Sequence, residues 1–191
     1  DLEITRLDGQ VCVQKLNEEI HSGDRILIAG NAFLGNKLYK ATAGLWPWGS
    51  GYIELPDDEP LFFMPPRPYL PTDTLRNAIC YPCTSCSFSE EMIQVCFEQA
   101  GVPELMAMLD KAFDWEKTLL REQLQRLGLV RLLLQRPKWI FMQEALDSLD
   151  PEGEAAMIAL INQELPDAAM LVITNQPSIQ GMMTRKIVLC Q

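Results

Sequence analysis

Residues 25–38 read Arg25-Ile26-Leu27-Ile28-Ala29-Gly30-Asn31-Ala32-Phe33-Leu34-Gly35-Asn36-Lys37-Leu38. The run from Arg25 to Ala29 is short and apolar, which is typical of a buried parallel strand. Gly30 begins a loop, and we expect a helix over Lys37–Ala43 that ends at Gly44. A strand, a glycine loop and a helix in this order are the context in which backbone amides bind phosphate.

The glycine spacing matches a phosphate-binding loop only in part. The full pattern is G-x-x-x-x-G-K-[ST], in which the lysine reaches the outer phosphates and the hydroxyl holds magnesium. Gly30 and Gly35 keep the spacing, but Asn36 stands at the lysine position and no serine or threonine follows. Lys37 is one position late, and Leu38 comes after it. Taken alone, the segment is a weak signal for phosphate binding, and a plain glycine turn is the favoured interpretation.

The rest of the chain alternates strands and helices around a mostly helical middle, which predicts an α/β fold. An Asp8-Gly9 turn joins two amino-terminal strands into a hairpin, and Asp150-Pro151 begins a helix. From Asp73 to about Arg136 the pattern is helical. Further strands are expected at 52–55, 61–64, 138–142, 170–174 and 186–189.

Composition excludes several functional classes. The chain has 191 residues and a net charge of −10, with no lysine- or arginine-rich run, so we expect no nucleic-acid partner. No segment approaches the ~18 consecutive apolar residues that span a membrane. The charged start at Asp1 argues against a signal peptide, and we expect further segments before it.

The cysteines raise one possible metal site. Cys80, Cys83 and Cys86 form C-x2-C-x2-C, which resembles part of an iron–sulfur binding run, but a fourth ligand is missing. Reduced thiols without a metal are the favoured interpretation, and a cluster or zinc site is the alternative.

Several further stretches form an ordered series along the chain. They are Ala43-Gly44-Leu45-Trp46-Pro47-Trp48-Gly49-Ser50-Gly51, Arg67-Pro68-Tyr69-Leu70-Pro71, Thr74-Leu75-Arg76, Arg131-Leu132-Leu133-Leu134-Gln135-Arg136-Pro137-Lys138-Trp139, Glu144-Ala145 and Leu149-Asp150. This series resembles the nucleotide-binding domain of ABC transporters, especially the peroxisomal fatty-acyl transporters and their bacterial relatives. The resemblance covers nearly the whole chain and implies an α/β P-loop NTPase core with an antiparallel β subdomain and an inserted helical subdomain. As one domain over 1–191, the core would be 1–66 and 127–191, and the helical subdomain 67–126.

The resemblance implies ATP and Mg²⁺ as cofactors, and on the core side it assigns nucleotide-binding positions to Gly30, Asn31, Gly35, Asn36, Lys37 and Leu38. Pro66 stands where the family has a glutamine that contacts magnesium and the attacking water. Gln143 replaces the magnesium-supporting aspartate, and Asn175 replaces the histidine that contacts the γ-phosphate. Proline has neither a side-chain donor nor an acceptor, so it cannot replace the lost glutamine. Glu144 holds the general-base position.

The signature L-S-x-G-E/Q appears as Leu119-Leu120-Arg121-Glu122-Gln123, in which Leu120 and Glu122 replace the serine and glycine. Asp150 keeps the position of a dimer contact. Because both halves of a composite ATP site are altered, the sequence predicts a pseudo-ATPase with weak or no MgATP binding, in a structural or regulatory role. Its expected partners are a transmembrane domain and a second nucleotide-binding domain, at the cytoplasmic face of a membrane. A working transport ATPase that uses Lys37, or a soluble protein-interaction module, are the alternatives.

Overall fold

The computed structural model describes residues 1–59, 61–83 and 85–189, and these form ten β-strands and six α-helices. The strands are β1 Leu2–Thr5, β2 Val11–Leu16, β3 Arg25–Ala29, β4 Gly49–Ser50, β5 Leu61–Met64, β6 Asp73–Thr74, β7 Ala112–Phe113, β8 Trp139–Gln143, β9 Ala169–Ile173 and β10 Arg185–Val188. The helices are α1 Ala32–Thr42, α2 Leu75–Cys80, α3 Glu90–Gln99, α4 Trp115–Thr118, α5 Arg121–Gln135 and α6 Pro151–Glu164. Shorter 3-10 helices cover Pro103–Met108 and Pro177–Met182.

A five-stranded sheet has the order β10-β3-β9-β8-β5, in which β10, β3, β9 and β8 are parallel neighbours. A second, antiparallel sheet has the order β2-β1-β4. The Asp8-Gly9 hairpin turn is confirmed: Gly9 has a φ of +82°, and Asp8 Oδ1 accepts a hydrogen bond from Gln10 N at 3.0 Å. The predicted α/β class is therefore confirmed, with a parallel sheet and an antiparallel part.

The chain divides into two compact units. The first comprises Asp1–Phe63, Pro137–Glu144 and Pro166–Gln191, and the second Met64–Arg136 and Ala145–Leu165.

The first unit has an apolar core between its two sheets and helix α1. Tyr39 of α1 places its ring edge-on against Phe63 at 5.3 Å and Phe141 at 5.1 Å between centroids. Burial raises the pKa of the Tyr39 hydroxyl. At the surface of this unit, Glu59 accepts hydrogen bonds from Lys138 Nζ and from Trp139 Nε1, and these bonds lower the pKa of its carboxyl group.

The second unit is built around α5, whose leucines at 127, 129 and 132 are fully buried. Arg131 on the same helix is also buried, and its Nη2 donates to the carbonyls of Tyr69 at 3.0 Å and Ala78 at 2.6 Å. Desolvation lowers the pKa of Arg131 to about 10. Two backbone carbonyls thus accept hydrogen bonds from one end of this buried guanidinium, while its Nε is buried without a hydrogen-bond partner.

The predicted strand at 52–55 and the predicted reduced state of Cys80 and Cys86 are wrong. Residues 52–55 form no strand, because Gly51 adopts a φ of +90°, outside the extended region, and ends β4. Cys80 and Cys86 are joined by a disulfide, so these two thiols are not reduced, while Cys83 is free and exposed. Cys190 lies outside the described residues.

Within residues 1–59, 61–83 and 85–189, no helix is both long enough and apolar enough to cross a bilayer. Histidine, cysteine, aspartate and glutamate side chains form no group of three or more in this part of the chain that could hold a metal ion.

Candidate nucleotide site

The segment after β3 forms a helix start instead of an open loop. Gly30, with a φ of +125°, leaves the strand, and Asn31 caps a helix that begins at Ala32. The Asn31 side-chain oxygen accepts a hydrogen bond from Phe33 N at 2.8 Å. The expectation that the helix covers only Lys37–Ala43 is therefore wrong, because asparagine is a strong N-cap and nothing in the next residues breaks the helix.

The amides between the two glycines are used within the protein. Leu34 N and Gly35 N both donate to the carbonyl oxygen of Asn31, at 2.9 and 3.2 Å. A phosphate-binding loop instead points such amides at the ligand. Gly35 lies within α1, where a Cβ would come within 2.8 Å of Ile173 Cγ2. Glycine at this position therefore permits close packing of the helix on strand β9.

The next two predicted nucleotide positions lie on the second turn of α1. Leu38 is buried in the apolar core of the first unit, and Asn36 is partly buried. Because the helix begins at Ala32, Asn36 and Leu38 are interior positions of α1 and do not belong to a loop.

Lys37 directs its ammonium group to aromatic rings. Its Nζ lies 3.2 Å from the centroid of a Trp46 ring and 5.0 Å from that of Phe33. The pKa of Lys37 is lowered, chiefly by desolvation and then by the like charge of Lys40. The negative face of the Trp46 indole attracts the positive ammonium group, and this cation–π contact holds the Lys37 side chain against the rings.

The carboxyl ends of three adjacent parallel strands bring the remaining core positions to one edge of the sheet. Gly30 follows β3, Asn175 follows β9, and Gln143 is the last residue of β8. Gln143 pairs in register with Ile173 and is 6 % exposed. In open α/β sheets, this edge is where ligands bind. Three of the positions that the resemblance assigns therefore lie at the same edge of the sheet.

Glu144 follows β8 with a left-handed backbone. Its φ is +45°, and its N–H donates to the carbonyl of Ile173 at 2.8 Å. A residue other than glycine in this region is uncommon and is found more often at functional sites. The hydrogen bond to β9 fixes the carboxylate-bearing residue at the sheet edge.

Asn175 is exposed and lies in the turn that follows β9. Thr174 Oγ1 accepts a hydrogen bond from Gln176 N at 3.1 Å, which shapes this turn before the 3-10 helix Pro177–Met182 begins. The position therefore presents a neutral amide to solvent.

In the second unit, the signature segment forms the start of α5. Leu120 is the N-cap residue and is 73 % exposed, and its N–H donates to Gln123 Oε1 at 3.1 Å. Glu122 pairs with Arg126 at 2.9 Å. Arg126 Nη1 also donates to the carbonyl of Ala100 at 2.8 Å. The Glu122 carboxylate thus has a cation of its own chain as its partner.

A network around Gln125 joins three segments of this unit and was missed from the sequence. Gln125 is 0 % exposed, and its Nε2 donates to the carbonyl of Pro66 at 3.0 Å and to Asp147 Oδ1 at 2.6 Å. Its Oε1 accepts from Ser148 N at 3.0 Å. Arg121 Nη2 binds both Asp147 oxygens, at 3.0 and 2.8 Å. The sequence signal that could have indicated this network is a glutamine among the leucines of a helix, because a buried amide group requires hydrogen-bond partners.

Asp150 is the N-cap of α6. Its Oδ1 accepts a hydrogen bond from Gly153 N at 2.7 Å, and Pro151 occupies the first helical position. The predicted helix start is confirmed, and the carboxylate has a structural use independent of any dimer contact.

Comparison with curated proteins gives a consistent group of relatives. The chain is 33 % identical over 174 residues, 90 % of its length, to an ABC transporter ATP-binding protein of Haemophilus influenzae described as uncharacterized. It is 29 % identical over 94 % of its length to the inner membrane ABC transporter ATP-binding protein YddA of Escherichia coli. It is 27 % identical over 94 % of its length to the ABC transporter D family member 1 of Arabidopsis thaliana. No family model matches the chain.

The chain spans about a third or less of each of these relatives: 29 % of the Haemophilus protein, 32 % of YddA and 14 % of the Arabidopsis protein. The likeness covers both units, and it agrees with the parallel sheet, the antiparallel strands and the order of the sequence landmarks. The chain therefore belongs to the ATP-binding proteins of ABC transporters.

Proposed function

We propose that this chain is an ABC-transporter ATP-binding domain that binds MgATP weakly or not at all and serves a structural or regulatory role. The observation that carries the proposal is the helix start at Asn31, because it uses amides that a phosphate-binding loop would offer to ATP. The relatives are named as ATP-binding proteins, so the proposal concerns a loss within the family.

The lysine that binds the outer phosphates in a complete phosphate-binding loop is also missing from its position. Asn36 carries no charge, and the ammonium of Lys37 lies over the Trp46 ring. To reach a phosphate, Lys37 would first have to leave this cation–π contact, at a cost of about 1 kcal/mol.

The donor set does not fit a magnesium ion bound to a triphosphate. Magnesium prefers carboxylate, phosphate and water oxygens in octahedral geometry, and Gln143 offers only a neutral amide. Pro66 offers no side-chain oxygen, and its carbonyl accepts a hydrogen bond from Gln125. Glu144 keeps a carboxylate, but a general base acts only on a water held beside its target phosphate.

The signature segment supports the same conclusion for a partner's ATP. Glu122 places a carboxylate where the family has glycine, and a like charge ~4 Å from a phosphate costs several kcal/mol at surface-like dielectric. Its ion pair with Arg126 reduces this repulsion without supplying the missing serine hydroxyl. A pairing with an intact second domain would therefore leave both composite sites incomplete.

The proposed setting follows the family. A transmembrane domain and a second nucleotide-binding domain are the partners, at the cytoplasmic face of a membrane, with Asp150 near the dimer contact. We keep 1–66 and 127–191 as the core and 67–126 as the helical subdomain in this proposal. If the chain is instead an interaction module that has left transport, its full-length product would carry no membrane helices.

The competing candidate is a working ATPase, which the retained Glu144 and its left-handed backbone favour. Phosphate release from MgATP, compared between the unaltered chain and Glu144→Gln, separates the two. We expect both proteins to release phosphate at the rate of the protein-free control. Losing one preorganised charge stabiliser already costs about a hundred- to a thousand-fold in rate, and here several are replaced.

Turnover that is clearly above the control and is abolished by Glu144→Gln would refute the proposal. Turnover that survives Glu144→Gln would point to a contaminating ATPase, so the measurement is repeated on protein purified by a second route. Circular dichroism of both proteins checks that the substitution leaves the fold intact.

A further inference from the structure

Two cations share one exposed phenylalanine ring on the first unit. The Arg6 guanidinium carbon lies 4.9 Å from the centroid of Phe33, and Lys37 Nζ lies 5.0 Å from it. Lys37 also lies over Trp46, whose ring contacts Trp48 at 4.7 Å between centroids. We call this surface the cationic aromatic patch, and it consists of Arg6, Phe33, Lys37, Lys40, Trp46 and Trp48.

The positive charges of the patch have no carboxylate partner in the part of the chain that the structure describes. Seven other cations make ion pairs there, but Arg6, Lys37 and Lys40 make none. Arg6 Nε is buried without a hydrogen-bond partner. Desolvation lowers the pKa of Lys37 most, and the like charges of Lys40 and Arg6 lower it further. The patch therefore carries three positive charges in a chain whose net charge is −10.

Aromatic surface beside the charges is open to solvent. Phe33 is 39 % exposed and Trp48 is 40 % exposed, and Leu45, which directly precedes Trp46 in the chain, is also exposed. Trp46 is fixed by a hydrogen bond from its Nε1 to the carbonyl of Thr5 at 2.9 Å. Rigid aromatic side chains with neighbouring cations are typical of the central residues of protein interfaces.

We propose that the cationic aromatic patch is a docking surface for a short acidic segment of a partner protein. Carboxylates of such a segment would pair with Arg6 and Lys37, and its aliphatic atoms would pack on Phe33 and Trp48. This inference rests on the proposed function, because Lys37 can bind a carboxylate of an acidic segment only if it does not bind a phosphate of ATP.

Charge distribution favours a short segment over a membrane or a nucleic acid. The exposed acids Asp1, Asp8, Glu54, Asp57 and Asp58 belong to the same unit. A broad anionic surface requires positive charge over a wide area, whereas the patch offers three cations in a unit that also exposes these acids. A short segment needs only the local patch.

The test is fluorescence anisotropy of a labelled ten-residue oligoglutamate titrated with the chain at low salt. We expect saturable binding that weakens about tenfold in Lys37→Gln and further in the Arg6→Gln/Lys37→Gln variant, since close charge pairs across an interface carry such couplings. Lys111→Gln is the matched control, because it removes the same charge from an exposed lysine of the second unit. It should leave the affinity unchanged.

Three outcomes would overturn the inference. They are the absence of oligoglutamate binding, binding that Lys111→Gln weakens as much as Lys37→Gln does, and tighter binding to phosphatidylserine vesicles than to oligoglutamate. Magnesium ATP is added in a parallel titration to keep the two proposals apart. If micromolar MgATP displaces oligoglutamate, both the proposed function and the inference are refuted. If the chain binds neither oligoglutamate nor MgATP, only the inference is refuted.

Discussion

Restoring the phosphate-loop residues should fail to restore nucleotide binding. The double substitution Asn36→Lys/Lys37→Ser completes G-x-x-x-x-G-K-S at the spacing set by Gly30 and Gly35. If the residue types alone were missing, this variant would bind MgATP. The structure predicts otherwise, because the amides of the segment remain bonded to Asn31.

The expected penalty follows from the bonds that a triphosphate would have to break. Three backbone N–H groups donate to Asn31: those of Phe33, Leu34 and Gly35. Each such bond has a net worth of about 1 kcal/mol, so opening the first turn costs about 3 kcal/mol. This free energy weakens binding by about a hundredfold, so a site of ~10 µM intrinsic affinity would bind only near millimolar ATP.

Isothermal titration calorimetry of the double variant with MgATP is the assay, and circular dichroism confirms that the variant is folded. We expect no saturable heat below about 1 mM ATP, in line with that estimate. Micromolar, magnesium-dependent binding would refute the reasoning, because it would mean that the helix start opens at little cost and that only the side chains were lost.

Three further substitutions test the roles that the structure assigns. Gly35→Ala should destabilise the chain by about 1–3 kcal/mol in urea unfolding, because the added methyl group overlaps Ile173; a neutral result would contradict the packing role. Gln125→Ala should lower the free energy of unfolding by about 2–4 kcal/mol, because it leaves buried partners unpaired. Gln135→Ala, at a less buried site, should lower it by less than about 1 kcal/mol. Equal losses in the two variants would contradict the structural role of the Gln125 network. The hydrogen bonds that lower the pKa of Glu59 stabilise the fold above the ordinary pKa of that carboxyl group, and this contribution is lost as the pH falls through the lowered value. Glu59→Gln should therefore make the free energy of unfolding depend less on pH in the acidic range. An unchanged pH dependence would contradict this role of Glu59.

Sequence patterns were sufficient for the elements whose signals are local. The apolar run at β3 predicted a buried parallel strand, and the runs at β8 and β9 predicted strands; the structure places all three side by side and parallel. Asp150 followed by Pro151 predicted the start of α6, where a side-chain cap and a fixed φ act within a few residues. Such signals do not depend on distant parts of the chain.

The start of α1 was predicted wrongly because two local signals competed. The glycine spacing favoured an open loop, while Asn31 before an apolar stretch favoured an N-cap. The capping signal prevailed, since no residue between Ala32 and Gly35 disfavours a helix strongly enough to stop it.

The Gln125 network could not be predicted, because its partners come from distant segments. Pro66 is 59 residues away in the chain and Asp147 is 22 residues away. A buried amide requires hydrogen-bond partners, but sequence alone does not identify them. The same holds for the cationic aromatic patch, which joins Arg6, just after β1, to residues of α1 and of the segment that follows α1.

The central claim is that this chain does not form a MgATP site, and calorimetric titration of the unaltered chain with ATP, with and without magnesium, tests it most directly. The account predicts no saturable heat at millimolar MgATP. It also predicts no rise in melting temperature, whereas a ligand at a hundred times its Kd would add about 2.7 kcal/mol of stability. Micromolar, magnesium-dependent binding that Lys37→Ala abolishes would contradict the claim.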